Sequence, residues 1–471
     1  MRMSLSAVIL LDLSIRISDL EAFYSNTGVL PVTLLFERGW NDYFISFHTI
    51  SGLWQVQLLL FIAAYFFTIL LFIGYRTRLV TFLSWLLLLS LHNRNGFVLQ
   101  GGDDLLRMVL FWAIFMPWGA KYSCDSILSG SPSQKTTIYS VATIAYLLQI
   151  CYIYTGSALL KGPEWNHEFT AMYYVYALDQ VNYPVTKYFF YYPDLLRKLT
   201  IFAYYFELFV PLLFFVPIKH HWFRFTAVLL IVLFHGVNSL TLFIGMFPLI
   251  GMATATGLLP TFFLNWCDRR TLKIKHMVRE SFLGISRVLE SVIQWKEPVF
   301  RQHVLIYNIK TAFLIFLTVF VFDWNFSNLS FINTKLSDRL RFIGYCLRLD
   351  QNWGMFAPGV FKDDGWFVME GFTEKNKSLN IWDAEKKLCY TKPINVVKTF
   401  KNDRWRKYSE NLIMTNQSFL RGYFCNYSKR IWNENHPNEK LKSLKIIYMS
   451  EFTLPDYHYS KPEKQVLWEC D

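Results

Sequence analysis

Charged residues are scarce in this chain, and the apolar ones are gathered in long blocks. Asp, Glu, Lys and Arg make up 17% of the 471 residues, whereas a soluble globular domain usually carries about 25%. Hydrophobic residues make up 53% and aromatic residues 18%, and aromatic rings are common where a protein meets lipid headgroups. The low charge excludes an ordinary soluble domain and predicts an integral membrane protein.

Cysteine is rare, and the signatures of soluble enzymes are missing. Seven Cys are too few for a disulfide scaffold, and no CxxC pair indicates zinc. The sequence has no HExxH, P-loop, GxSxG or protein-kinase signature. The string Gly101–Asp104 resembles a set of metal ligands at first sight, but a turn followed by an Asp N-cap explains it just as well. We therefore expect no metal site.

Nine apolar blocks approach the length of about 20 residues that a helix needs to cross a bilayer. Several of them are short or contain Gly and Pro. We therefore predict an α-helical polytopic membrane domain with about 8–9 transmembrane helices over residues 1–325. The blocks are Ser4–Leu20, Leu53–Gly74, Leu79–Leu91, Leu105–Trp118, Thr137–Leu160, Leu199–Ile218, Trp222–Phe243, Pro248–Leu264 and Val304–Phe322.

Lysine and arginine are concentrated in alternate loops, which predicts the orientation of the spans. They follow the second and fourth blocks, flank the turn after the sixth, and crowd the stretch 268–310. The net charge of +12 is therefore interpreted as an orientation signal, and no nucleic-acid partner is expected. The side with these loops is predicted to be cytoplasmic, and residues 268–303 are predicted to form an amphipathic basic segment on the membrane surface. We predict a multi-pass protein of a bacterial inner membrane.

The composition turns polar near Leu336, which indicates a second domain. Two strands, a helix and a further strand are predicted at Trp366–Thr373, Ser378–Trp382, Arg404–Tyr427 and Leu444–Thr453. Residues 336–471 are thus predicted to be a small C-terminal α+β domain outside the cytoplasm. Oxidising surroundings would permit disulfides there, and the sequence leaves the pairing open among Cys346, Cys389, Cys425 and Cys470.

Ionisable residues inside the predicted spans are costly, so each is a functional candidate. Counted from the span ends at about 1.5 Å per residue, these groups fall in the outer half of the membrane or near its midplane. Their common depth predicts a polar pocket that opens outward. Its candidate members are Lys161, His235, Asn238, His92, Glu207, Trp165 and Tyr154.

Plainer interpretations stand beside the functional ones. Lys161 at the end of a span is either an interfacial anchor or, in its apolar setting, an amine able to act as a base. His235 taken alone is more typical of an interhelical hydrogen bond than of a catalyst. Glu207 pairs most simply with a cation, either Arg16 or Lys161. Arg16 is also expected to pair with the acidic residues of its own span, Asp12 and Asp19.

Several strings together resemble the HTTM (horizontally transferred transmembrane domain) family, whose best-known members are the vitamin K-dependent gamma-carboxylases. Their order and spacing carry the resemblance, which runs over nearly the whole chain to about Thr453. The strings are Gly74–Arg78, Ser90–Asn95, Gly101–Arg107, Tyr154–Trp165, Phe234–Ser239, Ile244–Phe247, Gln351–Pro358 and Asp403–Arg406.

The resemblance implies an activity and roles for three residues. In gamma-carboxylases a lysine between a Tyr…Gly turn and a Trp deprotonates vitamin K hydroquinone, and oxygen then generates the base that prepares a glutamate for carbon dioxide. Lys161 matches that lysine, although it lies one residue nearer to the Trp, and His235 and Asn238 lie in a string found in the same order. The resemblance thus implies vitamin K-type hydroquinone, O2 and CO2 as cofactors. The further lumenal region of the carboxylases is absent here.

Three hypotheses follow. The first is a gamma-carboxylase-like lyase in the membrane that uses Lys161 as base, with His235 and Asn238 orienting the substrate, an exported peptide. The second is a non-catalytic maturation or immunity factor for a secreted peptide, in which Lys161, Glu207 and His235 form a structural network. The third, a transporter with a site at the midplane, is the weakest because the sequence contains no internal repeat.

Overall fold

A computed structural model describes residues 1–128, 139–270, 304–329, 335–382, 387–455 and 458–471, together with residues 284 and 332. Helices of nine or more residues are numbered here in chain order. They are α1 Arg2–Ile17, α2 Trp54–Ile73, α3 Thr77–Arg94, α4 Gly101–Ile114, α5 Val141–Leu160, α6 Pro193–Phe209, α7 His220–Thr241, α8 Phe247–Ala255, α9 Thr261–Arg270, α10 Val304–Phe326, α11 Asp338–Leu347, α12 Asp403–Ile413 and α13 Phe419–Asn435. Shorter helices include Leu20–Tyr24, Cys124–Leu128, Pro163–Asn166 and Ala171–Ala177.

Five of the described helices are long and apolar enough to cross a bilayer. They are α2, α5, α6 with its continuation to Phe215, α7 and α10. A sixth candidate is the pair formed by Phe247–Leu258 and α9, which bends by 98°. Each predicted apolar block therefore contains a helix, but only five or six of them qualify as candidate spans, fewer than the predicted 8–9.

Three of the predicted spans do not qualify as candidate membrane spans in the structure, for physical reasons. Helices α1 and α4 have 16 and 14 residues, fewer than the roughly 20 that a span needs. Helix α3 has 18 residues but ends in His92, Asn93 and Arg94. Helices α3 and α4 are also buried along most of their length. Their apolar residues pack inside the helical domain rather than only against lipid.

The predicted amphipathic segment 268–303 lies mostly outside the described residues. Of that segment, the structure describes 268–270, which are the end of α9, and residue 284. The prediction that this stretch lies on the membrane surface therefore stays a prediction.

The C-terminal part contains a five-stranded antiparallel sheet. Its strands are β1 Asp363–Thr373, β2 Ser378–Asn380, β3 Leu441–Leu454, β4 His458–Tyr459 and β5 Glu463–Cys470. Strand β3 is central, since it pairs with β1 on one side and with β4 and β5 on the other, while β2 extends the sheet beyond β1. Helix α13 packs on β3 and β5, and a disulfide joins Cys425 to Cys470.

The C-terminal part differs from the sequence-based expectation in a helix and in two strands. The predicted helix Arg404–Tyr427 is two helices, α12 and α13, because the backbone of Met414 is extended (φ −65°, ψ 127°) and ends the first one. Strands β4 and β5 were not predicted. Strand β4 has only two residues, both exposed, and β5 is exposed along most of its length, so neither shows the apolar alternation by which a half-buried strand is recognised.

Candidate functional site

Lys161 lies in a buried polar site at the end of α5. The helix ends at Leu160, and the side chain of Lys161 folds back by one turn to donate a hydrogen bond to Ser157 Oγ at 3.1 Å. Its ammonium also forms an ion pair with the carboxylate of Glu207 on α6. The Trp165 ring lies under the same ammonium, 4.4 Å from Nζ to the ring centroid. Of the two partners predicted for Glu207, the structure thus selects Lys161.

The site is closed on one side by the string Gln351–Pro358. The indole of Trp165 donates to the backbone oxygen of Phe356 at 2.8 Å, and the amide of Gly162 donates to that of Pro358 at 2.6 Å. These contacts fix the short helix Pro163–Asn166 against the connection to the C-terminal sheet. The lysine therefore sits in a site whose polar groups are bound to one another.

His235 and Tyr154 form a second polar contact deeper in the same domain. The Tyr154 hydroxyl and His235 Nε2 are 2.9 Å apart, with both side chains buried. A Cβ added at Gly251 of α8 would lie 2.3 Å from His235 Nε2, so glycine there is what lets α8 approach the imidazole. This is the interhelical hydrogen bond that the plainer interpretation of His235 predicts.

Asn238 and His92 do not join these contacts. The Asn238 side chain is half-buried and makes no hydrogen bond to another described residue. His92 is fully buried in a different group, with Nε2 3.5 Å from Asp103 and Nδ1 3.4 Å from Arg107. The structure thus brings together Lys161, Glu207 and Trp165, and separately Tyr154 and His235, whereas the predicted single pocket is divided. The catalytic roles suggested for Lys161, His235 and Asn238 stay predictions.

A cluster of four buried charges, absent from the sequence-based site, joins the two parts of the chain. Arg404 of α12 reaches into the helical domain, where its guanidinium is 2.7 Å from Asp12 and 2.8 Å from Asp103. Arg16 contacts the same two carboxylates at 2.7 and 2.6 Å. Asp19, predicted to pair within α1, instead contacts Lys401 at 2.6 Å. We call the group of Asp12, Arg16, Asp103 and Arg404 the arginine cluster.

A second group of charges lies at the same boundary between the helical domain and the C-terminal part. Lys392 is 2.5 Å from Asp179, which belongs to the helical domain, and forms a further ion pair with Glu451 of β3. Asp364 of β1 lies 3.8 Å from the same ammonium and accepts the backbone amide of Asp179 at 2.8 Å. Lys187 contacts Asp179 from the solvent side. We call Asp179, Asp364, Lys392 and Glu451 the lysine clasp.

Two sets of three side chains have the spacing of metal ligands. The first set is Asp12, His92 and Asp103, and the second is Asp179, Asp364 and Glu451. In each case the protein supplies its own cation. The guanidinium groups of Arg16 and Arg404 lie between the first set, and the ammonium of Lys392 lies between the second. Both sets are therefore explained as parts of domain-joining ion pairs.

The lysine clasp should make the stability of the chain depend on pH. Burial raises the pKa of Asp364 to about 7, although Lys392 acts in the opposite direction. The carboxyl is therefore neutral in the folded chain below that pH and is forced to ionise above it. Because the folded pKa exceeds the unfolded one, its stabilising contribution is full below about pH 4 and is lost as pH rises towards 7, by a few kcal/mol at most.

Thermal unfolding of the wild type and of Asp364→Asn should therefore be compared between pH 4 and 8. The wild type is expected to lose stability relative to the variant as pH rises through this window, since Asn cannot ionise. Glu374→Gln is the matched control, because Glu374 is an exposed carboxylate on the turn after β1. Parallel pH profiles for the wild type and Asp364→Asn would contradict the assignment.

The fold and these clusters define a class of protein. The chain is a polytopic membrane protein. Polar side chains within its helical domain contact one another, and buried ion pairs join this domain to the C-terminal part.

Residues 1–259 match the family model described as the lipase maturation factor transmembrane domain, and the chain belongs to that family. No curated protein and no solved structure matches the chain. The resemblance to the HTTM family stays a prediction beside this match.

Proposed function

We propose that the protein is a membrane-anchored maturation factor that assists the folding of an exported protein, such as a lipase. The observation that carries the proposal is the family match over residues 1–259. Of the alternatives predicted from the sequence, this is the non-catalytic maturation factor. A factor of this kind needs a membrane anchor and a rigid surface on the side where its client folds.

The polar contacts of the membrane domain favour this proposal. A lysine that abstracts a proton needs access to substrate, but Lys161 is in contact with Glu207, Ser157 and Trp165 and is nearly inaccessible. His235 is likewise bound to Tyr154. A buried pair of opposite charges with further hydrogen bonds is the arrangement expected of a structural network.

The rigid attachment of the sheet favours it as well. Arg404, Lys392 and Lys401 each cross from the C-terminal part to carboxylates of the helical domain. The charge pattern of the loops predicts that this side lies outside the cytoplasm. A client that emerges from the membrane would then meet the sheet at a fixed height above the bilayer.

The test is co-expression of an exported lipase with and without the full chain, in cells that otherwise lack it. We expect the amount of lipase protein to change little and its activity per molecule to rise when the chain is present. Equal specific activity in both cultures would overturn the proposal.

A gamma-carboxylase-like enzyme is the second candidate, favoured by the placement of Lys161 beside Trp165 in a buried polar site. It requires a vitamin K-type hydroquinone, O2 and CO2, which the resemblance implies. Mass spectrometry of the same exported lipase separates the two proposals. Carboxylated glutamate that depends on the chain would establish the enzyme, whereas active lipase without it supports the maturation factor.

A further inference from the structure

A cavity of about 620 Å³ lies between the helical domain and the sheet. Its floor is formed by the first residues of α4 and α8, including Gly101 and Phe247, and by Val181. Its roof is formed by the end of α12, including Met414, and by the start of β1 with Asp363. This volume is within the range of about 300–1,000 Å³ found for ligand sites. We call it the interdomain cleft.

Apolar side chains face the open part of the cleft. Phe361 is 68% exposed and Met414 is 45% exposed, and both line it together with Met355 and Phe356. Methionine is flexible and polarisable, so a surface with two of them adapts to different apolar partners. The cleft is therefore suited to bind apolar groups of varied shape rather than one fixed ligand.

Among the described residues that line the cleft, the charge without an ion-pair partner is negative. Its two cations are already paired, Arg406 with Asp403 and Glu410, and Lys407 with Glu410. Asp363, in contrast, is exposed and has no ion pair with any described residue. An unpaired carboxylate next to apolar side chains complements a ligand that carries both a cation and apolar groups. It repels a phosphate, which disfavours a phospholipid whose headgroup carries a net negative charge.

We propose that the interdomain cleft binds a non-native segment of the client polypeptide in which apolar side chains accompany a lysine or arginine. The inference rests on the proposed maturation function and locates its client site. Asp363 contacts the basic residue, and Phe361, Met414 and Met355 contact the apolar ones. A native client has buried its apolar side chains, so the site releases it once it has folded.

The test uses the purified full chain and a short fluorescent peptide of Leu and Val with two Lys. The matched peptide has Glu in place of Lys. Binding is followed by fluorescence anisotropy, with dihexanoyl phosphatidylcholine as a competitor. We expect the Lys peptide to bind, the Glu peptide to bind at least several-fold more weakly, and the short-chain lipid not to displace it. Displacement by the lipid at concentrations below its micelle threshold would overturn the proposal in favour of a lipid site.

Two variants test the walls of the cleft, each with a matched control. Phe361→Ala is expected to weaken peptide binding about tenfold, since a truncated apolar anchor typically loses that much. Asp363→Asn is expected to weaken it up to about fivefold, as for an exposed ion pair. Ile394→Ala and Glu374→Gln should bind as the wild type does, because both residues are exposed and neither lines the cleft. Wild-type affinity in both cleft variants would overturn the proposal.

The same variants separate this proposal from the function on which it rests. In the lipase co-expression assay, Phe361→Ala and Asp363→Asn should lower specific activity while both controls keep it. If the chain raises lipase activity but all four variants do so equally, the cleft proposal fails and the maturation function stands. If the wild type has no effect on the lipase, the maturation function fails instead.

Discussion

Replacing Arg404 by Met should destabilise the chain by about 3–5 kcal/mol, the usual result of removing one partner from a buried ion pair. Arg404 is 4% exposed and contacts Asp12 and Asp103, both about 1% exposed. Without it, two carboxylates deep in the protein share the single cation of Arg16. The thermal midpoint of the purified chain in detergent should fall steeply, and protease should cut between the helical domain and the sheet.

Arg430→Met is the matched control for this prediction. Arg430 also links the C-terminal part to the helical domain, through Glu21 at 2.9 Å, but its side chain is 36% exposed. An exposed ion pair contributes about 0–1 kcal/mol, so this variant should unfold within a few degrees of the wild type. If the two variants lose equal stability, the arginine cluster does not hold the domains together.

Replacing Lys161 by Met should be equally damaging, because it leaves the Glu207 carboxylate buried without its cation. The expected loss is about 3–5 kcal/mol. Lys161→Arg retains the positive charge and should retain most of the stability. In the double variant Lys161→Met with Glu207→Leu, both charges are gone, and apolar replacement of a buried pair is often neutral. We expect its thermal midpoint to return close to that of the wild type.

This series also separates a structural lysine from a catalytic one. Arginine can pair with Glu207 but holds its proton too tightly to serve as a base. A structural pair therefore predicts that Lys161→Arg supports lipase maturation. A base predicts that Lys161→Arg is inactive although it is folded.

Local patterns predicted the elements of the membrane domain well. Each apolar block contains a helix because a run of apolar residues is a local signal. The count of spans was less accurate. Helix α4 is apolar because neighbouring helices bury it, and hydropathy alone does not distinguish burial in protein from burial in lipid.

The candidate site was predicted only in part, for a related reason. Lys161 and Glu207 were recognised because charges inside apolar blocks are conspicuous, and Lys161 was one of two partners considered for Glu207. The contact between Arg404 and Asp12 joins residues 392 positions apart. No local pattern encodes such a pair, and Arg404 stands in a polar segment where an arginine is unremarkable. The sequence distinguishes Asp403–Arg406 only through its resemblance to the HTTM family.

The most direct test of the account is the specific activity of an exported lipase co-expressed with the double variant Lys161→Met/Glu207→Leu. If this pair is structural and the protein matures its client by binding, the double variant should give wild-type specific activity wherever it is present in the membrane at wild-type amounts. Lipase that stays inactive beside a folded, fully expressed double variant would contradict a purely structural pair and indicate a chemical role for Lys161 or Glu207.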